Sequence, residues 1–228
     1  MSSYNGIIAD LPQVEYGRML AIQRRLNALR NDGLIPDMLI MLTHPHVYTT
    51  GIHRNQDEIL DSSIEVFQVE RGGSATYHGP GQLVSYFMVN LKDRGINIRD
   101  LIIAVEDAIV SLLNDYGITA EGRLHGETGV WVGNRKICSV GLAVRGFSTL
   151  HGIALNVSTD LSRFSAIMPC GMPSQIMTSM EQELGRSQDI GKVRSGIIER
   201  LVASLGLSNP RIIRNIEEIE ELSVGNGL

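Results

Sequence analysis

At 228 residues, 43% hydrophobic and 20% charged, the chain has the length and balance of a soluble protein with a sizeable core. Its formal net charge of −5 runs against general nucleic-acid binding, which needs a basic footprint, and no run of about 18 apolar residues offers a membrane span. Residues 1–10 carry neither a basic leader nor an apolar stretch, so no secretory signal and a cytoplasmic location are expected, and the two cysteines, Cys138 and Cys170, are not expected to pair.

The first helix is expected over 13–30, where Met19, Ile22, Leu26 and Leu29 form one apolar stripe, Pro12 suits the start and Gly33 follows the end. Strand-like runs follow at 38–43, 47–50 and 66–70, then at 83–91, with Leu83, Phe87, Val89 and Leu91 on one side. A second helix over 99–116 carries Leu101, Val105, Ala108 and Leu112 on its stripe, with Gly117 placed to close it. Runs at 129–132 and 136–144 flank Gly133-Asn134-Arg135, a tight II′ hairpin signal. Unless a bulge intervenes, Trp131, Lys136, Cys138 and Val140 then share a face. A strand at 149–157 and a helix at 190–205, with Val193, Ile197, Leu201 and Leu205, complete the pattern; the Glu-rich tail after Pro210 has no assignment. No repeat or linker divides the chain, so residues 1–228 are expected to form a single domain of α+β class.

Three segments stand out. Arg71-Gly72-Gly73-Ser74-Ala75-Thr76-Tyr77-His78-Gly79-Pro80-Gly81-Gln82 is either a glycine-rich turn or a place where backbone approaches a ligand, with Arg71 able to hold an anion. It is neither a P-loop nor a dinucleotide fingerprint. Met168-Pro169-Cys170-Gly171-Met172-Pro173 puts a thiol on a turn, a poor place for packing and a good one for a nucleophile. Lys136, entering an apolar strand, is either a snorkelling surface residue or a buried amine that can act as a base. The histidines, at 44, 46, 53, 78, 125 and 151, lack the spacing of a metal site, so no metal is expected.

Together these segments resemble the lipoyl(octanoyl) transferase family. Thr43-His44-Pro45-His46-Val47-Tyr48-Thr49-Thr50-Gly51 is similar to its early motif, and Arg71 to Gln82 to its glycine-rich acyl-binding segment. Gly129-Val130-Trp131-Val132 with Lys136-Ile137 and Ser139-Val140-Gly141 resembles its lysine segment. His151-Gly152-Ile153-Ala154-Leu155-Asn156-Val157, leading through Asp160-Leu161 and Phe164 to Pro169-Cys170-Gly171, resembles its nucleophile segment, and Thr178-Ser179-Met180 fits the motif after it. Ser74-Ala75 and Cys138 depart from the family pattern.

The resemblance implies the fold of lipoate and biotin protein ligases, a mixed sheet with packing helices and a smaller second sheet. It implies that an octanoyl group moves from octanoyl-acyl carrier protein to a lysine of lipoyl domains, those of 2-oxoacid dehydrogenase complexes and of the glycine cleavage H protein, without ATP or another cofactor. Cys170 would carry the acyl thioester and Lys136 would move the protons. Arg71, Gly72, Gly73, Ser74, Ala75, Thr76, Tyr77 and His78, with Ser139, Val140, Gly141, Gly152, Ile153 and Ala154, would line the acyl site, and Cys138 would be a small filler. The rivals are an ATP-dependent lipoate ligase, a related amidotransferase and a non-catalytic module that binds carrier protein.

Overall fold

The computed structural model describes residues 5–52, 63–124, 128–167 and 176–225. The 168–173 segment with Cys170, and also His53 and His125, lie outside the described residues. Among those described, eight strands form one sheet in the order β11 (Pro210–Ile213), β1 (Gly6–Gln13), β2 (Met38–Thr43), β6 (Gln82–Met88), β10 (Ser148–Asn156), β9 (Arg135–Arg145), β8 (Gly129–Val132), β7 (Glu121–Arg123). The pairs at the β11 end are parallel, β11 with β1 and β1 with β2, and the rest antiparallel. A second sheet, β4 (Val66–Gln68), β3 (Val47–Thr50), β5 (Ala75–His78), stands beside it. This is the α+β arrangement expected.

Strand alternation sends residues to two helical layers. Leu39, Met41, Leu83 and Phe87 pack toward α3 (Ile98–Asp115) and α5 (Ile190–Ser204). Met38, Ile40, Leu42, Val84 and Met88 pack toward α1 (Tyr16–Asn31) and α6 (Ile216–Ser223). The stripes read on the long helices are buried: Met19, Ile22 and Leu26 on α1, Leu101, Val105, Ala108 and Leu112 on α3, Val193, Ile197 and Leu201 on α5. Two short helices, α2 (Leu91–Arg94) and α4 (Met180–Leu184), follow β6 and precede α5.

Two expectations need correction, and the unassigned tail takes a definite form. Helix α1 starts at Tyr16, because Asp10, Leu11 and Pro12 belong to β1; the β1–β2 register shifts between Asp10 and Gln13, and a proline is tolerated at such an irregularity. The strand expected to reach residue 91 stops at Met88, since the Asn90 side chain accepts from the Lys92 and Asp93 N–H groups and caps α2. The tail after Pro210 adds the edge strand β11 and α6, whose Asn215 side chain accepts from Glu217 N–H.

A buried ion cluster ties α1 to the start of β2. Arg30 Nε donates to Asp37 Oδ1 at 2.6 Å, Arg94 Nε donates to Asp37 Oδ2, and Asn90 N–H donates to Oδ1 at 3.0 Å. The Arg30 and Asp37 side chains are only 9% and 7% exposed. Asp37→Ala would remove the carboxylate that Arg30 Nε, Arg94 Nε and Asn90 N–H share, leaving Arg30 only Asp93, which accepts from its Nη2 at 2.8 Å, and is expected to cost about 3 kcal/mol in urea unfolding. A midpoint equal to wild type would show that Asp37 contributes nothing.

Candidate active site

A cavity of about 280 Å³ opens where the main sheet meets the loop before β5. Its floor is β10 and β9, with Gly152, Ile153 and Ala154 from the first and Ser139, Val140 and Gly141 from the second. Gly152 is dictated by its neighbour, since a Cβ there would stand 1.8 Å from the Ser85 carbonyl oxygen of β6. The far wall is Arg71, Gly72, Gly73, Ser74, Ala75, Thr76 and His78, and Lys136 closes one side. Tyr77 does not line the cavity. Its ring packs with Tyr48 and Phe164, and its hydroxyl lies 2.6 Å from His46 Nδ1. Cys170 is outside the described residues.

Lys136 reaches the cavity through an irregularity in the β8–β9 ladder. Gly133 takes a φ of 56° and the two-residue turn expected there forms, pairing Val132 with Arg135 and Trp131 with Lys136. The next pair is Val130 with Cys138, so the register shifts by one residue. Ile137 and Cys138 both enter the core under α3, while Lys136, Ser139 and Gly141 line the cavity. The expectation that Lys136 and Cys138 share a face therefore fails, by the bulge. Cys138 is fully buried, and its thiol is pushed up to about 12, first by burial and then by Glu106. Lys136 is 8% exposed, with Nζ 5.3 Å from the centre of the Trp131 ring. Met177, which lines the cavity, bridges to Lys136, and Thr178 N–H donates to the Lys136 carbonyl at 2.9 Å.

Arg71 acts here as a staple. Its Nη2 donates to Thr49 O (2.8 Å) and Thr49 Oγ1 (2.9 Å), and its Nη1 to Gly72 O (3.0 Å). The guanidinium thus holds the loop before β5 against β3.

Beside the expected His78, sequence reasoning missed the rest of an aromatic and histidine wall. Tyr16 and Tyr86 line the cavity with His78 and His151, and His44 stands behind. His44 Nδ1 donates to Val14 O at 2.6 Å and Nε2 accepts from Tyr86 OH at 2.7 Å, which assigns a neutral ring. Gln82 Nε2 donates to Tyr77 O and Asn156 Oδ1, so its Oε1 faces His78 Nδ1–H at 2.7 Å. His151 has a φ of 62°, rare for a residue with a Cβ, and its ring is 2% exposed. Its Nε2 is 3.6 Å from a Glu70 oxygen, too far for a hydrogen bond. Burial is the first cause that lowers each histidine, His44 and His151 to about 4 and His78 to about 3. It also raises the Tyr16 hydroxyl to about 12. At neutral pH this wall is polar but uncharged. The periodicity of β10 and of α1 gave no sign of it, because His151 and Tyr16 sit among apolar neighbours as ordinary buried positions.

The fold is shared with solved lipoate-protein ligases. A crystal structure of lipoate-protein ligase A bound with ATP matches at a TM-score of 0.79 and 22% identity, over 97% of this chain and 93% of that one. A lipoate protein ligase from Thermoplasma acidophilum, solved in a study of that archaeon's lipoylation system and its E2 lipoyl domain, matches at 0.69 and 20%, over 96% and 91%. Residues 15–202 match the lipoyl protein ligase A/B catalytic domain. The chain is 46% identical to a probable octanoyltransferase 2 of Picrophilus torridus, over 97% of this chain and 86% of the relative. It is 38% identical to an octanoyltransferase of Desulforamulus reducens, over 84% and 87%. The chain belongs to the lipoyl protein ligase A/B catalytic domain family and, within it, to the octanoyltransferases, which are acyltransferases.

Burial of the histidines has a consequence for stability. Their folded pKa values lie below the unfolded value of 6.5, so unfolding takes up three protons between about pH 4 and 6.5. Glu106, raised to about 7, releases one over much of the same window. Stability is therefore full above pH 6.5 on the histidine account and falls as pH drops, by roughly 3 kcal/mol per unit for a net uptake of two protons. Urea midpoints at pH 7, 6 and 5 measure the slope; a flat profile would mean that the folded chain already carries these rings charged.

Proposed function

We propose that this octanoyltransferase moves an octanoyl group from octanoyl-acyl carrier protein to a lysine of a lipoyl domain, through a thioester on Cys170, with Lys136 as the acid/base. The observation that carries this reading is the placement of Lys136, a buried amine in the wall of a slot whose other cation, Arg71, is bonded to Thr49 and Gly72, and bonded through its own backbone to Met177–Thr178. Those residues follow Cys170 by seven and eight positions in the chain.

The proton and bond accounting is closed. Lys136 takes the Cys170 thiol proton, the thiolate attacks the donor thioester carbonyl, and the donor sulfur leaves as a thiolate that recovers the proton. The acceptor lysine amine then attacks the acyl-Cys170. One proton of that amine passes to Lys136, the amide forms, and the departing Cys170 thiolate takes the proton back from Lys136, which restores the starting thiol and amine. One amine serves both steps. Thioester exchange is nearly neutral in energy and thioester to amide is downhill, so no nucleotide is needed. The slot of 280 Å³ suits a short alkyl chain. Lipoyl domains of 2-oxoacid dehydrogenase complexes and the glycine cleavage H protein are the proposed acceptors, in the cytoplasm, with residues 1–228 working as one catalytic domain. The ATP-dependent ligase reading has fold likeness at 22% identity behind it, against 46% to a probable octanoyltransferase.

Incubation with octanoyl-acyl carrier protein should add one octanoyl mass to Cys170, and transfer to an apo lipoyl domain should proceed in chelator without ATP; Cys170→Ala should abolish both. Product that forms only from free octanoate and ATP would give the reaction to the ligase class, and label on Cys138 would reassign the nucleophile.

Lys136→Ala is expected to lose roughly 10²–10⁴-fold in rate, and Lys136→Arg should not restore it, because a guanidinium does not give up its proton. Single-turnover rates compare the three proteins; an arginine variant near wild type would show that only positive charge is required.

A further inference from the structure

Glu106 is a carboxylate on the apolar face of α3, 2% exposed, one residue after Val105. Its Oε1 accepts from Gly129 N–H at 2.9 Å. The side chain is wedged between two strands, since a Cβ on Gly122 of β7 would stand 2.7 Å from Oε2. On the same Gly129 lies the Lys136 side chain, for a Cβ there would stand 2.5 Å from Lys136 Cε and 3.4 Å from Nζ. Gly129 is therefore the thin partition between a buried carboxylate and the buried amine, and both charges act across it. Among the described residues, the hydrogen bond that the Glu106 carboxylate accepts, from Gly129 N–H, does not require a charge. An amide would accept the Gly129 N–H equally well and would avoid the cost of a buried charge.

We propose that Glu106 is a positioning residue for Lys136, a buried counter-charge behind the lysine stem that sets how firmly the amine holds its proton during transfer. The proposal rests on Lys136 being the acid/base of the reaction. Among the described residues, the following titratable groups surround the pair. Asp107 acts on Glu106 from its own helix, β9 brings the Lys136 ammonium and the Cys138 thiol, and β7 and β8 bring Gly122, Gly129 and the Trp131 ring. Burial pushes the Glu106 carboxyl up to about 7, while the Gly129 N–H and the Lys136 charge pull it down. The carboxyl thus changes charge near neutral pH, and each change acts on the amine across Gly129.

The chain has three lysines, Lys92, Lys136 and Lys192, so 13Cε-lysine labelling gives a spectrum in which Lys136→Arg assigns the Lys136 resonance. In Glu106→Gln, which keeps an acceptor for Gly129 N–H, the Lys136 titration midpoint should fall by about one pH unit or more. Glu106→Asp, which keeps the charge, should stay closer to wild type and serves if the glutamine variant fails to fold. The limb of the rate–pH profile that follows Lys136 should move with the midpoint. A purely structural Glu106 would move neither, and an unmoved Lys136 midpoint in the folded glutamine variant overturns the proposal. A midpoint that moves while the rate profile stays fixed supports the coupling and removes Lys136 from its acid/base role.

Discussion

Across the β8–β9 ladder the inner strand carries one residue more than its partner between the pair Trp131–Lys136 and the pair Val130–Cys138, and the direction of the Lys136 side chain depends on that residue. In a regular ladder Lys136 and Cys138 would face the same way, either both into the core under α3 or both into the cavity. The first would bury an amine among aliphatic side chains; the second would put two nucleophiles in one slot. The bulge separates them. Ile137 and Cys138 fill the core, and Lys136 turns to the cavity with Ser139 and Gly141 behind it. The hairpin turn at Gly133–Asn134 fixes the register from which the shift is counted, and the bond from Thr178 N–H to the Lys136 carbonyl secures the far side.

With Lys136 fixed on one side, the remaining walls present little free charge to the cavity. Arg71 is the cationic exception opposite, and its guanidinium is turned onto Thr49 and Gly72. The histidines are neutral because they are buried, and two of them are bonded in ways that fix the tautomer. His151 reaches the slot only by adopting a left-handed backbone, a conformation costing roughly 1–2 kcal/mol for a residue with a Cβ. Its N–H is taken by Gln23 Oε1 of α1 at 3.1 Å, so the strained residue is held from the helix layer. Strain of this kind persists where surrounding contacts over-determine it.

Much of the fold was legible because its signals were periodic. The stripes of α1, α3 and α5 and the two-residue turn at Gly133 follow from spacing alone. What was not legible depended on contacts distant in sequence. β1 carries Asp10 and Pro12, which locally suggest a helix entry, and only the irregular pairing with β2 shows why a strand accepts them. β11 is four residues long and is a strand because β1 lies beside it. In the site, the glycine-rich segment was readable by composition, but its face was not. Tyr77 leaves the cavity because alternate residues of β5 point apart, and Tyr16, Tyr86 and Glu106 enter the picture through tertiary packing that no short-range pattern announces.

The likeness to a ligase solved with ATP at 22% identity raises the question of what a shared fold fixes. A ligase and a transferase both need a slot for an acyl chain and a cation near its carboxyl end, and a sheet with a loop folded over it supplies both. They differ in how the carboxyl is activated. A ligase must also hold a triphosphate, which calls for donors turned outward toward solvent. In this chain Arg71, the guanidinium that lines the cavity, is bonded to Thr49 and Gly72, and the backbone around it shapes the slot. An acyl group that arrives already activated as a thioester asks for less: a thiol to receive it, an amine to pass protons, and a wall that excludes charge. One fold can accommodate either chemistry, since the two differ in a few groups around the slot and not in the sheet that forms it.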